Sequence, residues 1–270
     1  MKKCIGIFLI LLALTSCFEV TAAVEEAMRE TISTLGQNNS FAFVDLGLTS
    51  EEIALIDRLK FGKILDGART SYDRFGNLSL LNDELPTFLR DIGNDDEEVI
   101  QAVAEVISRT VYNVTRASNR DSAWVSVRAA PPNHAFDIPR WHMDGSYYGP
   151  RPYPGLVFKF AAVLKGNSTL LYPLPNEVRD IFISHSNDRA FLNELLDVNK
   201  AQSPKRGEGV FFIVADDTKS AVHSEPKMVE NRLFFSILIG SEEEIQELNL
   251  KQRARNDIAN EAPAVARICE

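Results

Sequence analysis

The side chains best suited to chemistry lie in the second half of the sequence, beginning with a histidine and an aspartate two residues apart. His142 and Asp144 fall in the dense segment Pro139–Tyr148. Residues two apart in an extended segment point to the same face, so this imidazole and carboxylate could chelate one divalent metal. The spacing alone is a weak signal, because a histidine hydrogen-bonded to a nearby aspartate gives the same pattern.

A second histidine and an arginine follow at positions that strengthen the metal interpretation. His223 comes just after a predicted strand, and Arg232 opens the next apolar strand. Two histidines and one carboxylate on one side of a metal leave three adjacent positions open, which is the ligand set of non-haem iron oxygenases. A guanidinium binds a carboxylate through two parallel charged hydrogen bonds. There are simpler alternatives to a site role for these residues: His223 could be a hydrogen-bonded loop histidine, and Arg232 could form a surface salt bridge with Glu230.

The order of these residues resembles the Fe(II)/2-oxoglutarate-dependent dioxygenase superfamily. Trp141–Gly145 matches its H-x-D element, Val222 and His223 match the distal histidine, and Gly207–Phe212 matches the turn and strand before that histidine. Arg232 matches the residue that binds the distal carboxylate of 2-oxoglutarate. The resemblance covers Trp124 to Gly240, and the N-terminal half contributes nothing to it.

The resemblance implies a fold and an activity. The expected fold class is α+β, with a double-stranded β-helix (jelly roll) core and N-terminal helices packed outside it. The expected cofactors are Fe(II), bound by His142, Asp144 and His223, and 2-oxoglutarate as co-substrate, bound by Arg232. The expected reaction is hydroxylation of a C–H bond in a substrate that the sequence does not identify, with no catalytic residue beyond the metal ligands.

Further residues are candidates for the co-substrate site. Lys159 lies in the predicted strand Leu156–Leu164, and Thr169 and Tyr172 lie in the predicted strand Thr169–Leu174. Each could add a charge or a hydrogen bond to the same carboxylate. A lysine facing solvent is the simpler account of Lys159, and strands are rich in threonine and tyrosine in any case. The aromatic residues flanking the metal pair could shape a substrate pocket or simply pack in the core: Trp141, Tyr147 and Tyr148.

Two rival functions use the same residues. One is a non-enzymatic metal- or ligand-binding β-helix lipoprotein, and the other is a zinc hydrolase that activates a bound water. An exported location favours the first rival, since 2-oxoglutarate and reduced iron are scarcer outside the cytoplasm. Arg232 separates these functions, because only the oxygenase needs a carboxylate partner beside the metal.

Composition sets the broad class of the protein. The chain has 270 residues, of which 45% are hydrophobic, and this is enough to build a sizeable core. Its formal net charge is −9, which argues against nucleic acid or an anionic membrane surface as a main partner. The substrate and the oligomeric state are not predicted by composition.

The N-terminus reads as an export signal over residues 1–23. A basic start precedes the apolar run Ile5–Leu14, which is too short to cross a bilayer but suits a signal peptide. Leu14–Cys17 resembles a bacterial lipobox, while Ala22 and Ala23 suit ordinary cleavage. The chain is therefore predicted to be exported, and in a bacterium to be periplasmic or anchored to a membrane by a lipid on Cys17.

Hydrophobic periodicity divides the remaining chain into three predicted regions. Residues 24–120 read as helical, with helices over Val24–Leu35, from Thr49, and from near Asn94. Residues 121–241 read as the β-rich, oxygenase-like core, and 242–270 as a helix with a polar tail. The predicted core contains a helical insert, Pro175–Val198, and these strands: Trp124–Arg128, Leu156–Leu164, Thr169–Leu174, Gly209–Ala215 and Arg232–Ile239.

Overall fold

The computed structural model describes residues 22–37, 39–64, 70–145, 147–148 and 156–261, with 255–261 described by their backbone. The predicted signal peptide with Cys17 falls outside these residues, apart from its last two positions, and so does the end of the tail with Cys269. Within the described ranges, no helix is both long and apolar enough to cross a bilayer.

Helices and antiparallel strands share the described chain. The helices are α1 (22–34), α2 (Ser50–Asp57), α3 (Leu81–Asp91), α4 (Glu97–Ala117), α5 (Asn176–Ser184), α6 (Arg189–Leu195) and α7 (Glu242–Glu261). The strands are β1 (Phe41–Asp45), β2 (Ser71–Phe75), β3 (Ser122–Ala130), β4 (Val157–Lys165), β5 (Leu170–Tyr172), β6 (Glu208–Val214), β7 (Val222–Ser224) and β8 (Arg232–Gly240). This combination is an α+β class.

The strands form two sheets. The larger has the order β1-β6-β4-β8-β3-β2, and every neighbouring pair in it is antiparallel. The smaller pairs β5 with β7. Single bridges from His142 to His223 and from Leu171 to Gln202 extend the smaller sheet by one segment on each side. The order of its segments is therefore His142 segment, β7, β5, Gln202 segment.

Alternating side chains of the large sheet pack into two different apolar clusters, one on each face of the sheet. On β8, Leu233, Phe235 and Ile237 belong to the main core, which also contains the buried faces of α1 to α4. Phe234 and Leu238 lie on the opposite face, in the apolar cluster that includes Leu171 of the small sheet. Since both faces of the strand are covered, β8 reads as a nearly continuous apolar run.

The helices form where the sequence supplies caps and an apolar face. The helix start predicted at Thr49 is confirmed: the Thr49 side chain accepts from Glu52 N, and the Glu52 side chain accepts from Thr49 N. The side chain of Asp96 caps α4 in the same way, by accepting from Val99 N. Both helices pack on the outer face of the large sheet, while α5 and α6 cover the outer face of the small sheet.

The region 24–120, which reads as helical in the sequence, also contains two strands that were not predicted. Phe41–Asp45 and Ser71–Phe75 are strands, and they form the two ends of the large sheet. Each has five residues, and its partner strand lies far away in the sequence, so local periodicity carries little signal for it. The helical insert predicted over Pro175–Val198 is two separate helices, α5 and α6.

Gly209 on β6 gives a test of the packing between strands. A Cβ at this position would lie 2.2 Å from Cζ of the fully buried Phe160. We expect Gly209→Ala to lower the free energy of unfolding by about 1–3 kcal/mol, because the core must shift to admit a methyl group. Urea unfolding measures this loss. Gly62→Ala is the matched control, since nothing lies within 4 Å of its added Cβ. Equal urea midpoints for the two variants would contradict the packing described.

Candidate metal centre

The two predicted metal histidines are direct cross-strand partners. His142 N donates to His223 O, and His223 N donates to His142 O, each at 2.9 Å. This pairing brings the two ring centroids to 4.2 Å from each other. A reciprocal pair of backbone bonds fixes the register of the two segments, and therefore fixes which imidazoles meet.

Asp144 completes a group of three possible ligands. Its Oδ1 lies 3.8 Å from His142 Nε2 and 3.6 Å from His223 Nε2. One ligand atom from each of the three residues lies within 4.8 Å of the others. The backbone is held as well, because Ala215 N donates to Asp144 O at 3.1 Å. Ala215 has φ of 61°, a left-handed conformation that costs a non-glycine residue energy and often occurs beside functional sites.

The imidazoles are oriented to present their Nε2 atoms. His142 Nδ1 lies 2.8 Å from Arg140 O, and His223 Nδ1 lies 3.2 Å from Ala221 O. A carbonyl oxygen only accepts, so each Nδ1 carries a proton, and each Nε2 is the ring nitrogen on the side of Asp144. Burial, together with the neighbouring His142, lowers the pKa of His223 to about 4, so this ring is neutral at pH 7. Imidazoles whose Nδ1 atoms are held by carbonyls are typical of metal sites, and the three residues fit a divalent ion.

Lys159 orients the aspartate. Its Nζ donates to Asp144 Oδ2 at 2.8 Å and to the Tyr147 hydroxyl at 3.1 Å. Burial opposes the charge on Asp144, but Lys159 and then His223 outweigh this effect and hold the pKa of the carboxyl well below its usual range. Burial also opposes the charge on Lys159, and Asp144 outweighs it, so the pKa of the lysine is raised. One carboxylate oxygen therefore faces the histidines while the other is held by the lysine.

The interpretation of Lys159 as a solvent-facing residue is wrong, since its side chain is only 14% exposed. Lys159 alternates with the apolar residues of β4, and the sequence does not distinguish which face of that strand is covered. Its ion pair with Asp144 joins β4 to the segment that follows His142, so it is visible only in the tertiary structure. The burial of Tyr147 beside this pair raises its pKa to about 12.

Arg232 lies buried at the start of β8 with part of its hydrogen-bonding capacity unused. Its Nε donates to Asn167 O at 2.9 Å, and its Nη2 donates to Thr169 Oγ1 at 3.0 Å. Its guanidinium carbon lies 4.8 Å from the centroid of the Phe234 ring. Among the residues described, no carboxylate lies within 4.0 Å of Arg232, and Nη1 has no acceptor. Burial lowers the pKa of Arg232 to about 10, so it remains charged at neutral pH.

The arginine at the start of β8 contacts a residue next to the small sheet that carries the histidines. Leu171 pairs with His223. Thr169, which contacts Arg232, precedes Leu171 by two residues, or about 7 Å of extended chain. The guanidinium of Arg232 is therefore attached, through Thr169, to the strand that pairs with the His223 strand.

The structure does not bring every candidate to this site. Tyr172 lies on the other face of the small sheet, where its ring centroid is 5.5 Å from that of Trp141 in the core beneath α5 and α6. The Tyr148 hydroxyl donates to Ile239 O at 2.8 Å. Among the predicted co-substrate residues, Arg232 and Thr169 contact each other. Lys159 contacts Asp144 of the metal group. Tyr172 packs against Trp141 instead, on the far side of the small sheet.

Comparisons with known proteins find similarity in structure alone. No protein-family model and no curated protein sequence matches the chain. A prolyl hydroxylase from Trichoplax adhaerens, in complex with a hypoxia inducible factor peptide, is 13% identical, with 86% of this chain and 96% of that chain covered and a TM-score of 0.43.

Two further solved structures give similar values. A prolyl-4-hydroxylase from Pseudomonas putida is 10% identical, with 81% of this chain and 98% of that chain covered and a TM-score of 0.39. A rice dioxygenase for auxin oxidation is also 10% identical, with 80% and 78% covered and a TM-score of 0.40. Similarity at this level defines neither the family nor the substrate, so the function rests on the residues of this chain.

Proposed function

We propose that the protein is an Fe(II)/2-oxoglutarate-dependent dioxygenase. The observation that carries this proposal is the group formed by His142, Asp144 and His223, in which both Nε2 atoms and one carboxylate oxygen converge on the same space. A divalent metal held by two imidazoles and one carboxylate keeps three adjacent positions open, and iron in oxygenases uses such positions for co-substrate and oxygen.

The path of the chain supports a double-stranded β-helix as the fold around this site. From β3 onward, successive segments run in the large sheet (β3), the small sheet (the His142 segment), the large sheet (β4) and the small sheet (β5). The second half continues with the Gln202 segment in the small sheet, β6 in the large sheet, β7 in the small sheet and β8 in the large sheet. Eight segments that pass between two antiparallel sheets in this way form a jelly roll.

The charges at the site favour a dicarboxylate as the co-substrate. Asp144 and Lys159 neutralise each other, so a bound divalent ion leaves an excess of two positive charges, and Arg232 adds a third. A dianion with one carboxylate at the metal and the other at Arg232 offsets most of this charge. Arg232 offers its free Nη1 edge for that second carboxylate, and a guanidinium suits it because of its planar fork.

Each side chain has a defined task in this proposal. When bound, iron and 2-oxoglutarate supply the oxidative chemistry that hydroxylates a C–H bond. Lys159 keeps one oxygen of Asp144 turned to the metal, and Arg232 with Thr169 orients the co-substrate. The apolar side chains Phe212, Phe234 and Leu171 line the space between the sheets and limit the access of water to it.

The decisive experiment is a titration of 2-oxoglutarate into anaerobic protein loaded with Fe(II). We expect the weak visible absorption band that arises when 2-oxoglutarate chelates iron through two atoms, and we expect His142→Ala to abolish it. His185→Ala is the matched control, because that histidine lies at the end of α5, outside the metal group. Metal bound without a band would favour the zinc hydrolase or the non-enzymatic metal-binding protein. No bound metal at all would refute the enzyme proposal.

A further inference from the structure

A second cleft lies away from the metal group. Its volume is about 990 Å³, and it opens between β1, the first turns of α5 and the β6–β7 turn. We call it the α5 cleft, and the lining residues that matter for its chemistry are Phe41, Phe43, Leu174, Arg179, Ile183 and Lys219. None of the three metal ligands lines it, and neither do Lys159 and Arg232. The α5 cleft is therefore a separate site.

Arg179 is a buried cation on the wall of this cleft. It is 7% exposed, and its Nη1 donates to Ser220 O at 3.0 Å and to Asp217 O at 3.3 Å. Nη1 also lies 3.4 Å from Met143 Sδ. These bonds to neutral groups fix the guanidinium in one position, and Asp216 stabilises its charge only from beyond ion-pairing distance.

The other two nitrogens of Arg179 have no acceptor in the described part of the chain. Nε is buried without a partner. Nη2 is not hydrogen-bonded there either, and no carboxylate lies within 4.0 Å of this side chain, although Asp180 and Asp217 also line the cleft. Burial lowers the pKa of Arg179. A charge removed from water and left unpaired is costly, and such a group in a cleft indicates a missing anionic partner.

We propose that the α5 cleft binds a ligand that carries a carboxylate group and an apolar body. The carboxylate accepts hydrogen bonds from Nη2 of Arg179. The apolar body contacts Phe41, Phe43, Leu174 and Ile183, which line the same cleft. The cleft has a mixed lining, in which these apolar side chains lie beside polar groups and one buried, fixed charged donor, and this combination suits a small organic acid or an acidic peptide side chain.

The test uses the full chain without metal, in the presence of a chelator, and two nearly isosteric probes. Sodium benzoate carries the carboxylate, and benzamide replaces it with a neutral amide. We expect calorimetric titration to detect benzoate binding at least about tenfold tighter than benzamide binding, because the amide oxygen still accepts a hydrogen bond but carries no negative charge to pair with the guanidinium. Equal affinities for the two probes, or no binding of benzoate, would overturn the proposal.

Variants assign benzoate to the α5 cleft rather than to the proposed co-substrate site. We expect Arg179→Met to weaken benzoate binding at least about tenfold, for the same physical reason. Lys219→Met is the matched control, since it removes one positive charge from the rim of the same cleft. Binding that survives in Arg232→Ala and disappears in Arg179→Met supports the α5 cleft. Binding that disappears in Arg232→Ala and survives in Arg179→Met overturns the proposal for the α5 cleft, and it does not contradict the proposed dioxygenase function.

A fold check and a peptide probe complete the design. If Arg179→Met does not fold, Arg179→Lys keeps the charge but shifts it. We then expect weaker benzoate binding with unchanged benzamide binding, and unchanged benzoate binding would count against the proposal.

A blocked pentapeptide with a central glutamate, compared with its glutamine counterpart, tests the source of the carboxylate. Binding of the glutamate peptide through Arg179 points to an acidic peptide, and binding of benzoate alone points to a free organic acid.

Discussion

Replacing Arg232 by alanine is expected to abolish 2-oxoglutarate binding while leaving metal binding nearly intact. The side chain touches Asn167 and Thr169, not the metal ligands, so its removal leaves the histidine pair and Asp144 in place. Loss of one partner from a buried, hydrogen-bonded charge pair costs about 2–5 kcal/mol, which corresponds to a dissociation constant raised about 30-fold or more. Anaerobic titration of the iron-loaded variant, followed by the absorption band, measures this change.

Two further variants make the result specific. Arg128→Ala removes a guanidinium from the neighbouring strand β3, but Arg128 already forms a salt bridge with Asp73 at 3.0 Å. We therefore expect the Arg128→Ala protein to bind 2-oxoglutarate with the affinity of the unaltered protein. Arg232→Lys keeps the charge and loses the planar fork, so an intermediate affinity is expected. An Arg232→Ala protein that binds 2-oxoglutarate normally would show that the co-substrate assignment is wrong.

Replacing Asp144 by alanine is expected to abolish metal binding and also to destabilise the fold. The substitution removes one of three ligands, and it leaves the buried ammonium of Lys159 without its carboxylate. Breaking a buried ion pair from one side costs about 3–5 kcal/mol, because the remaining charge is still buried. Metal analysis after dialysis measures the first effect, and urea unfolding of the metal-free protein measures the second.

The double variant Asp144→Ala with Lys159→Met separates these two effects. It removes both charges together, so we expect most of the lost stability to return while metal binding stays absent. A double variant as unstable as Asp144→Ala alone would mean that the ion pair does not account for the destabilisation. A single Asp144→Ala variant that retained the metal at full affinity would instead remove Asp144 from the ligand set.

Local patterns in the sequence were sufficient for most elements of the second half, and together with the family resemblance they selected the candidate site residues. The two-residue spacing of His142 and Asp144 places both on one face of an extended segment, and this depends only on backbone geometry. The start of α2 at Thr49 follows from a capping box whose two members lie three residues apart. The strand β8 and the helix α4 have apolar patterns long enough to be read without knowledge of their partners.

Contacts between distant parts of the chain could not be read in this way. The strands β1 and β2 have five residues each, and β1 pairs with β6, far away in the sequence. Lys159 lies on β4 and Asp144 lies in the segment after His142, and whether the lysine faces solvent or the carboxylate depends on which face of β4 is covered. Tyr172 shows the converse: its position in a strand was correctly predicted, but it faces away from the metal group.

The sequence by itself indicated the candidate metal ligands His142, Asp144 and His223 and the arginine at the start of β8, through the two-residue spacing of His142 and Asp144 taken together with the resemblance to the dioxygenase superfamily. Only the tertiary structure decided the reciprocal pairing of His142 with His223, the orientation of Asp144 by Lys159 and the unpaired charge of Arg179. The physical reason is that burial and ion pairing depend on which distant parts of the chain pack together. The hydrophobic pattern of one segment does not show which residues of another segment contact it.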